Sequence, residues 1–433
     1  MKRSRIITLA LIGVTTLMFG IFSVQRFFKT RSDTTVRSQI KATNKVDERI
    51  VRAQRLIDQM PDKSEGYNQL ASAYMQKARE TADFAFNAKA EEILSRSLSI
   101  EPDNYDALKL LAKLQLTYHR FNQALETAHR AQTVRTDDHD VWGQITDAYV
   151  ELGDYPAAVK AAQRMVDLRP DSSAYARVSY LRTLHGDIIG AIQAMNVAVE
   201  TANPNDSEAI AWCHVQLGNE LMNAGQLAAA EQQFDRALAT FPDHHLALQA
   251  KARARLAAGD LQGAVKIYGQ QQSIQPSADA AQALGDLYTH LGQVEAAANE
   301  YRQFELLERE NAELERSWRH MVNHWLDHDE KLSESLALAR TEYEARKDIF
   351  TCDSLAWALF KNGRVEESKP LIDQALRTGT KDARINYHAG IIYRSLNERD
   401  KARKYLQLGA VLSSSFDPVQ AEAAKKMLAE LRA

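Results

Sequence analysis

The sequence predicts an all-α protein, a solenoid of about ten helix-hairpin repeats that follows an N-terminal membrane segment. Three observations predict this fold. A unit of about 34 residues, clearest at residues 139–172, recurs along most of the chain. With only 9 Pro and 18 Gly among 433 residues, residues that break helices are scarce. No segment alternates apolar and polar residues over the length of a strand.

The unit at residues 139–172 has the pattern of two amphipathic helices joined by a turn. Gly153 and Asp154 interrupt the helical pattern, and Pro170 ends it. Apolar or small residues recur at helical spacing on both sides of the turn: Trp142, Ile145, Thr146 and Tyr149 before it, and Ala158, Ala162 and Met165 after it. One hairpin cannot bury both apolar faces, so similar hairpins must stack on either side of it.

The charge balance and the cysteine count exclude several classes of protein. Lys and Arg total 54 against 57 Asp and Glu, so nucleic acid, which requires a basic surface, is not an expected partner. Cys213 and Cys352 are the only cysteines, too few for a disulfide framework. Both fall within helical patterns, which predicts that they are small core residues.

Residues 1–30 are predicted to be a membrane anchor or a signal segment. Basic residues precede an uncharged run at residues 6–24, which as a helix is long enough to cross a hydrocarbon core of about 30 Å. Because no small-x-small cleavage site closes the run, an uncleaved anchor is favoured, and a cleaved signal peptide stays open as the alternative. A short basic leader of this kind usually places the following chain outside the cytoplasm.

The remaining elements follow in order. Residues 31–63 are predicted to form a polar stalk and an N-capping helix, which ends before Pro61. Residues 64–416 carry the repeats, and the connection within the first repeat is longer than the others. The first helix of the eighth repeat is expected to fuse with the preceding helix across residues 305–326, since no Gly or Pro interrupts that stretch. Residues 417–433 open with Pro418 near a helix start and are predicted to be a C-terminal capping helix.

The spacing of the marker residues resembles the tetratricopeptide repeat across residues 46–433. The fifth repeat carries these markers as Leu217, Gly218, Leu221, Ala230, Phe234, Ala237 and Pro242. The long first connection and the segment DSLAWALFKNGR are similar to exported or membrane-anchored bacterial proteins of this family. The resemblance implies a right-handed superhelix of helix pairs, whose first helices line a concave groove that binds peptides or protein segments.

Helical geometry predicts which positions face this groove. In each first helix, positions 2, 5, 9, 12 and 13 lie opposite the stacking face. They are acidic in the third repeat, at Asp140, Asp147 and Glu151, with Gly143 and Val150 between them. In the fifth repeat they are Trp212, Val215, Asn219, Met222 and Asn223. The candidate partner-binding residues are aromatic, amide or basic: Tyr180, Trp212, Asn219, Asn223, Trp357, Arg384, Tyr387 and Arg394. The alternative is that the tryptophans pack in the core and the polar residues form a solvated surface.

One histidine series could hold a metal ion. His320, His324 and His328 share a face on a continuous helix, and imidazoles four residues apart can chelate zinc or copper. Because the segment around His328 has the composition of a turn, only His320 and His324 stay as weak candidates, and no metal or cofactor is expected.

No enzyme motif is present. The sequence contains no Walker-type phosphate loop, no dinucleotide fingerprint, no nucleophile elbow and no zinc-protease motif.

These observations leave two hypotheses for the function. The first is a non-catalytic, membrane-anchored scaffold that binds a protein or peptide segment, for example in assembling an envelope complex. The second is a metal-handling or enzyme-accessory protein built on the same solenoid.

Overall fold

The computed structural model describes residues 45–81, 83–315, 317–413 and 418–432, and their regular secondary structure is entirely α-helical. The first eleven helices are α1 (Lys45–Gln59), α2 (Ser64–Thr81), α3 (Ala85–Ile100), α4 (Tyr105–Thr117), α5 (Phe121–Val134), α6 (His139–Leu152), α7 (Tyr155–Leu168), α8 (Ser172–Leu184), α9 (Ile188–Glu200), α10 (Ser207–Asn223) and α11 (Leu227–Thr240). The next eleven are α12 (His245–Ala257), α13 (Leu261–Ile274), α14 (Ala278–His290), α15 (Val294–Glu315), α16 (Arg319–Asp327), α17 (Leu332–Ala345), α18 (Ile349–Lys361), α19 (Val365–Ala375), α20 (Ala383–Ser395), α21 (Arg399–Ser413) and α22 (Pro418–Arg432).

These helices form successive antiparallel hairpins, from α2/α3 to α20/α21, in agreement with the predicted repeats. Helix α1 covers the open face of the first hairpin, where Val46, Ile50 and Ala53 are buried against α2. Helix α22 packs on α21 at the other end and buries Ala424. The all-helical solenoid predicted from the sequence is therefore confirmed over the described residues.

Aspartates at the helix starts explain where several helices begin. Asp154, Asp171 and Asp187 precede α7, α8 and α9, and each accepts a hydrogen bond from the backbone amide three residues ahead. Such caps satisfy an amide that the first helical turn leaves without a partner, and their negative charge is favourable there. Gly153 ends α6 with a left-handed φ of 80°.

Glycine allows the two helices of a hairpin to pack closely. A Cβ atom at Gly218 in α10 would overlap the ring of Phe234 in α11. Phe234 is fully buried, so the ring has no space into which it can move. This contact explains why the repeat pattern pairs a small residue in the first helix with an aromatic residue in the second.

The expected fusion of the seventh and eighth repeats is wrong. Helix α15 ends at Glu315, and α16 begins separately at Arg319. The Glu342 carboxylate of α17 accepts hydrogen bonds from the Trp318 amide, at 3.0 Å, and from the Ser317 hydroxyl, at 2.8 Å. These contacts come from a helix 24 residues away, so the local absence of Gly and Pro could not predict the break.

The C-terminal repeats pack against the third and fourth repeats. One hydrophobic cluster joins Val150, Tyr155 and Leu184 to Ile349 and Ile392. A Cβ atom at Gly153 would overlap the carbonyl oxygen of Lys347, and one at Gly186 would lie 2.5 Å from the carbonyl oxygen of Gly379. The solenoid therefore curves back on itself, and its concave face encloses a chamber.

None of the described helices is both long and apolar enough to span a membrane. The predicted membrane segment, residues 6–24, and most of the predicted stalk lie outside the described residues.

Candidate functional site

The chamber on the concave face has a volume of about 540 Å³. Its wall is built mainly from first helices of the third, fourth and sixth to tenth repeats, and Tyr155 of α7 is the one contribution from a second helix. It is lined by Val150, Glu151, Tyr155, Tyr180, Leu184, Arg253, Asp279, Gln282, Arg319, His320, Asn323, Asp348, Phe350, Asp353, Ser354, Asp382 and Arg384. This volume is in the range of pockets that bind small ligands or a few residues of a peptide.

Arg346 is buried behind the lining residues and forms ion pairs with both sides of the chamber. Its side chain is only 3% exposed, and its Nη1 atom lies 2.9 Å from Glu151 of the third repeat. It also pairs with Glu342 and lies 3.6 Å from Asp348. Burial is the largest influence on the Glu151 carboxyl and raises its pKa, which the attraction of Arg346 only partly offsets. This ion-pair network links the third repeat to the start of the ninth.

The other carboxylates of the lining also have partners. Asp348 caps α18 by accepting hydrogen bonds from two backbone amides, and Asp382 caps α20. Asp353 accepts a hydrogen bond of 3.0 Å from the buried His388 ring. Asp279 accepts one of 3.0 Å from the Gln249 amide group. Each of the five lining carboxylates, Glu151 included, therefore accepts at least one hydrogen bond from the protein.

Two arginines of the lining, Arg253 and Arg319, each have a buried nitrogen atom without a hydrogen-bond partner among the described residues. Arg253 donates a hydrogen bond of 2.9 Å to Asn219, but its buried Nε atom has no hydrogen-bond partner in the part of the chain that the structure describes. Arg319 lies 3.6 Å from Asp348, beyond hydrogen-bond distance, and its buried Nη1 atom has no hydrogen-bond partner among the described residues. Arg384 lies 3.8 Å from Asp327.

Two of the predicted partner-binding residues, Tyr180 and Arg384, line the chamber. Tyr180 is 41% exposed, and its hydroxyl has a raised pKa because of desolvation and the nearby Glu151 charge. Asn219 does not line the chamber but supports it, since its side-chain oxygen accepts the hydrogen bond from Arg253.

The other predicted residues lie elsewhere. Trp357 is buried and stacks on His388 at a ring distance of 4.1 Å, so it belongs to the core. Trp212 is half-buried against the core of the fifth repeat, and Tyr387 packs against the C-terminal core. Asn223 is exposed and donates to Glu220, and the exposed Arg394 pairs with Glu430 of the capping helix.

The groove rule fails where neighbouring helices cover the expected face. Val215 and Met222 are buried in the core of the fifth repeat. The rule for groove positions nevertheless also identifies three lining residues that are not among the candidate partner-binding residues. Asp279 and Gln282 are at the second and fifth positions of α14, and Arg253 is at the ninth position of α12.

The two weak metal candidates have different surroundings. His320 lies on the chamber with its side chain 55% exposed, and the Glu308 carboxylate raises its pKa. His324 is buried between the rings of Phe304 and Tyr301, and burial lowers its pKa to about 4. The ring of His324 is therefore held in the core, away from the chamber wall on which His320 lies.

Within the described residues, one group of side chains has ligand atoms close enough to share a metal ion, namely Asp138, His139 and Asp140. Lys109 already lies 2.8 Å from Asp138 and 2.7 Å from Asp140. The Arg169 guanidinium contacts His139. A metal ion would have to displace these cations, so the geometry does not favour a metal site here.

Comparison with known proteins places this architecture in a family. Family models described as tetratricopeptide repeat match residues 87–143, 145–207, 215–273 and 354–415, more than half of the chain. No curated protein is similar enough to match the sequence.

The chain is also similar to solved structures of low sequence identity. The Cut9–Hcn1 hetero-tetramer of APC/C matches with 16% identity and a TM-score of 0.49, over 89% of this chain and 66% of that one. This chain thus spans slightly less than two thirds of that matched chain. The human IFIT1 dimer with m7Gppp-AAAA matches with 13% identity and a TM-score of 0.49, over 76% of each chain. A tetratricopeptide repeat protein from Parabacteroides merdae matches with 18% identity and a TM-score of 0.41, over 57% of this chain and 97% of that one.

Proposed function

Because the chain belongs to the tetratricopeptide repeat family, we propose that it is a non-catalytic scaffold that binds a segment of a partner protein in the chamber of its concave face. The observation that carries this proposal is the convergence of first helices from seven repeats on one cavity. Concave pockets are the usual binding sites of proteins, and the lining of this one is mostly polar and charged, with Val150, Leu184 and Phe350 as its apolar residues.

The chemistry of the lining supports a peptide as the ligand. Tyr180 and Phe350 offer aromatic surfaces for side chains, and Asn323 and Gln282 offer amide groups that can bond to a backbone. Aromatic anchors near the centre of an interface often supply most of its binding energy. The closure of the solenoid limits how much of the partner can enter, so the bound part is a short segment of a few residues.

Site-specific photo-cross-linking tests this function in the full-length protein. A photoreactive residue is placed at Tyr180 in the chamber or at Val159, which is 47% exposed on the outer helix α7. We expect a discrete cross-linked partner from position 180 and none from position 159. Equal cross-linking from both positions would mean that the chamber is not the binding site.

We also propose that residues 1–30 anchor the solenoid to a membrane, with the repeats on the extracytoplasmic side and a role in holding an envelope complex together. The uncharged run at residues 6–24 supports the anchor, and the short basic leader before it supports the orientation. Protease added to intact spheroplasts should digest the repeats. Complete protection would instead place them in the cytoplasm, and a mature N-terminus near residue 25 would replace the anchor with a cleaved signal peptide.

A further inference from the structure

We propose that Lys113 is a carbamylation site, where the side-chain amine combines with carbon dioxide to form a carbamate. Lys113 is at the ninth position of α4, one of the positions predicted to face the groove, and it is not among the residues that line the chamber. The inference therefore does not depend on peptide binding in the chamber. Three features of Lys113 carry it: an exposed side chain, the absence of a counter-ion, and two nearby arginines.

The Lys113 ammonium has no counter-ion, in contrast to that of Lys109, one turn earlier on the same helix. The Lys109 ammonium lies 2.8 Å from Asp138 and 2.7 Å from Asp140. Among the residues that the structure describes, the Lys113 ammonium forms neither a hydrogen bond nor an ion pair, and its side chain is exposed. The nearest acidic groups of the third repeat are thus committed to Lys109, and Lys113 stays open to a small reactant.

Arg177 of the fourth repeat is held close to Lys113 by the packing of α6 on α4. Its Nε atom donates a hydrogen bond of 3.2 Å to the carbonyl oxygen of Gly143 in α6. The next residue, Gln144, donates one of 2.9 Å to the carbonyl oxygen of Lys109 in α4. The guanidinium therefore lies beside the middle of α4, where its charge disfavours the ammonium form of Lys113.

The first repeat supplies a second cation. Arg79, near the end of α2, lies 3.7 Å from Glu208 at the start of α10, so the first and fifth repeats meet around this part of the groove. Desolvation by the surrounding repeats lowers the pKa of Lys113 to about 8, and the charges of Arg79 and Arg177 act in the same direction. Asp140 and Glu208 oppose this shift only in part.

The uncharged amine is the form that reacts with carbon dioxide. An ordinary lysine, with a pKa of about 10.4, holds almost none of this form at neutral pH, whereas Lys113 holds an appreciable fraction. The amine nitrogen attacks the carbon of carbon dioxide, a nitrogen–carbon bond forms as one carbon–oxygen π bond opens, and the nitrogen releases a proton to solvent. The product is a carbamate anion, so the charge of the side chain changes from positive to negative.

The charges around Lys113 favour this product over the free lysine. In the free form, three cations repel one another, namely Lys113, Arg79 and Arg177. A carbamate is instead attracted by both guanidinium groups. Because guanidinium groups stay charged at any physiological pH, this attraction is present whenever the carbamate forms. A modification that only neutralised the lysine would remove the repulsion but gain no attraction.

Chemical trapping of the carbamate tests the site in the full-length protein. The protein is equilibrated with isotopically labelled bicarbonate near the pKa of Lys113, carbamates are fixed by alkylation with a trialkyloxonium salt, and the modified lysines are identified by mass spectrometry. A free peptide with an unblocked α-amino group is the positive control. We expect a labelled adduct on Lys113 and none on Lys109, whose ammonium is paired with carboxylates. The inference is overturned if the control peptide is trapped and Lys113 is not, or if both lysines react equally.

Two variants with opposite expected effects test the role of the neighbouring charges. Arg79→Gln should lower the yield of the Lys113 adduct about threefold to tenfold, because it removes a cation that both depresses the lysine pKa and attracts the carbamate. Glu208→Gln should raise the yield, because it removes a negative charge that does the reverse. Lys113→Arg should abolish the adduct, and melting temperatures verify that each variant is folded. Yields that neither charge variant changes would show an accessible amine without a built site.

Discussion

The phenol oxygen of Tyr155 accepts a hydrogen bond of 2.9 Å from the backbone amide of Ile349, 194 residues further along the chain. Ile349 is the first residue of α18, and an amide at that position has no partner within its own helix. Asp348 satisfies the next two amides, at Phe350 and Thr351. The third repeat thus completes the N-terminal cap of the ninth, which couples the closure of the solenoid to the stability of α18.

The first prediction is that Tyr155→Phe loosens this closure. The change leaves the buried Ile349 amide unpaired, and we expect a cost of about 1 to 3 kcal/mol. Hydrogen exchange is the suitable measurement, because repeats in a solenoid can open separately. Exchange should rise in peptides that cover the start of α18. Tyr67→Phe is the control, since it removes a hydrogen bond to Pro61 far from the closure and should leave α18 protected.

The second prediction concerns Gly153, where the close approach to Lys347 leaves no space for a Cβ atom. Gly153→Ala should destabilise the protein by about 1 to 3 kcal/mol more than Gly259→Ala. Gly259 is a matched control because its φ is also 80°, but a Cβ there meets no atom within 4 Å. Denaturant unfolding gives the free energies, and small-angle X-ray scattering reports whether the solenoid opens. Equal costs at the two glycines would contradict the closed arrangement.

The repeats could be predicted from the sequence because each hairpin depends on neighbours that lie close in the chain. The pairing of Gly218 with Phe234 joins two helices of one hairpin, and the same spacing recurs at Gly285 with Tyr301 and at Gly390 with Leu406. The closure could not be predicted in this way. The closure depends on the small rotation from each repeat to the next, which accumulates along the solenoid and brings Tyr155 to Ile349. No local sequence pattern indicates the size of this accumulated rotation.

The same limit explains why only some of the predicted groove residues line the chamber. Tyr180 and Arg384 occupy groove positions of single helices, and both line the chamber. Trp357 occupies an equivalent position, but His388 of the next repeat stacks on its ring and buries it. Helical geometry predicts which way a side chain points. It does not predict whether an adjacent helix covers that side chain.

The third prediction concerns pH. A hydrogen bond to Asp286 raises the pKa of His328 to about 9, from an unfolded value near 6.5. A raised folded pKa stabilises the charged form, so this contribution is complete below pH of about 6.5 and is lost as the pH rises through about 9. Relative to His328→Gln, the wild-type protein should lose about 1 to 2 kcal/mol over this window once solvent screening is included.

Denaturant unfolding at pH 6.5 and pH 9 measures this difference between the two proteins. The comparison cancels other groups that titrate nearby, and His324, whose pKa is lowered to about 4, changes its charge in the folded protein below this window. Asp286→Asn should reduce the difference, because it removes the largest of the contributions that raise the pKa of His328. Parallel pH profiles for the wild type and His328→Gln would show that the imidazolium contributes no stability.

The fourth prediction concerns the ion pairs behind the chamber. Arg346→Met leaves the Glu151, Glu342 and Asp348 carboxylates without their shared buried cation, and we expect a loss of about 3 to 5 kcal/mol. Glu151→Gln should cost less, since Arg346 keeps two acidic partners. Thermal unfolding gives the order of the two variants. A smaller loss for Arg346→Met than for Glu151→Gln would contradict the central position of this arginine.

The last prediction separates the chamber from the fifth repeat as the binding surface. Tyr180 is 41% exposed on the chamber wall, so Tyr180→Ala should weaken binding of the cross-linked partner segment about fivefold to thirtyfold without lowering the melting temperature. Trp212 is half-buried against the core, so Trp212→Ala should instead lower the melting temperature and leave the affinity of the folded protein unchanged. Isothermal titration and thermal unfolding of both variants measure the two effects. If Trp212→Ala weakens binding while Tyr180→Ala does not, the partner lies along the fifth repeat, and the chamber does not bind it.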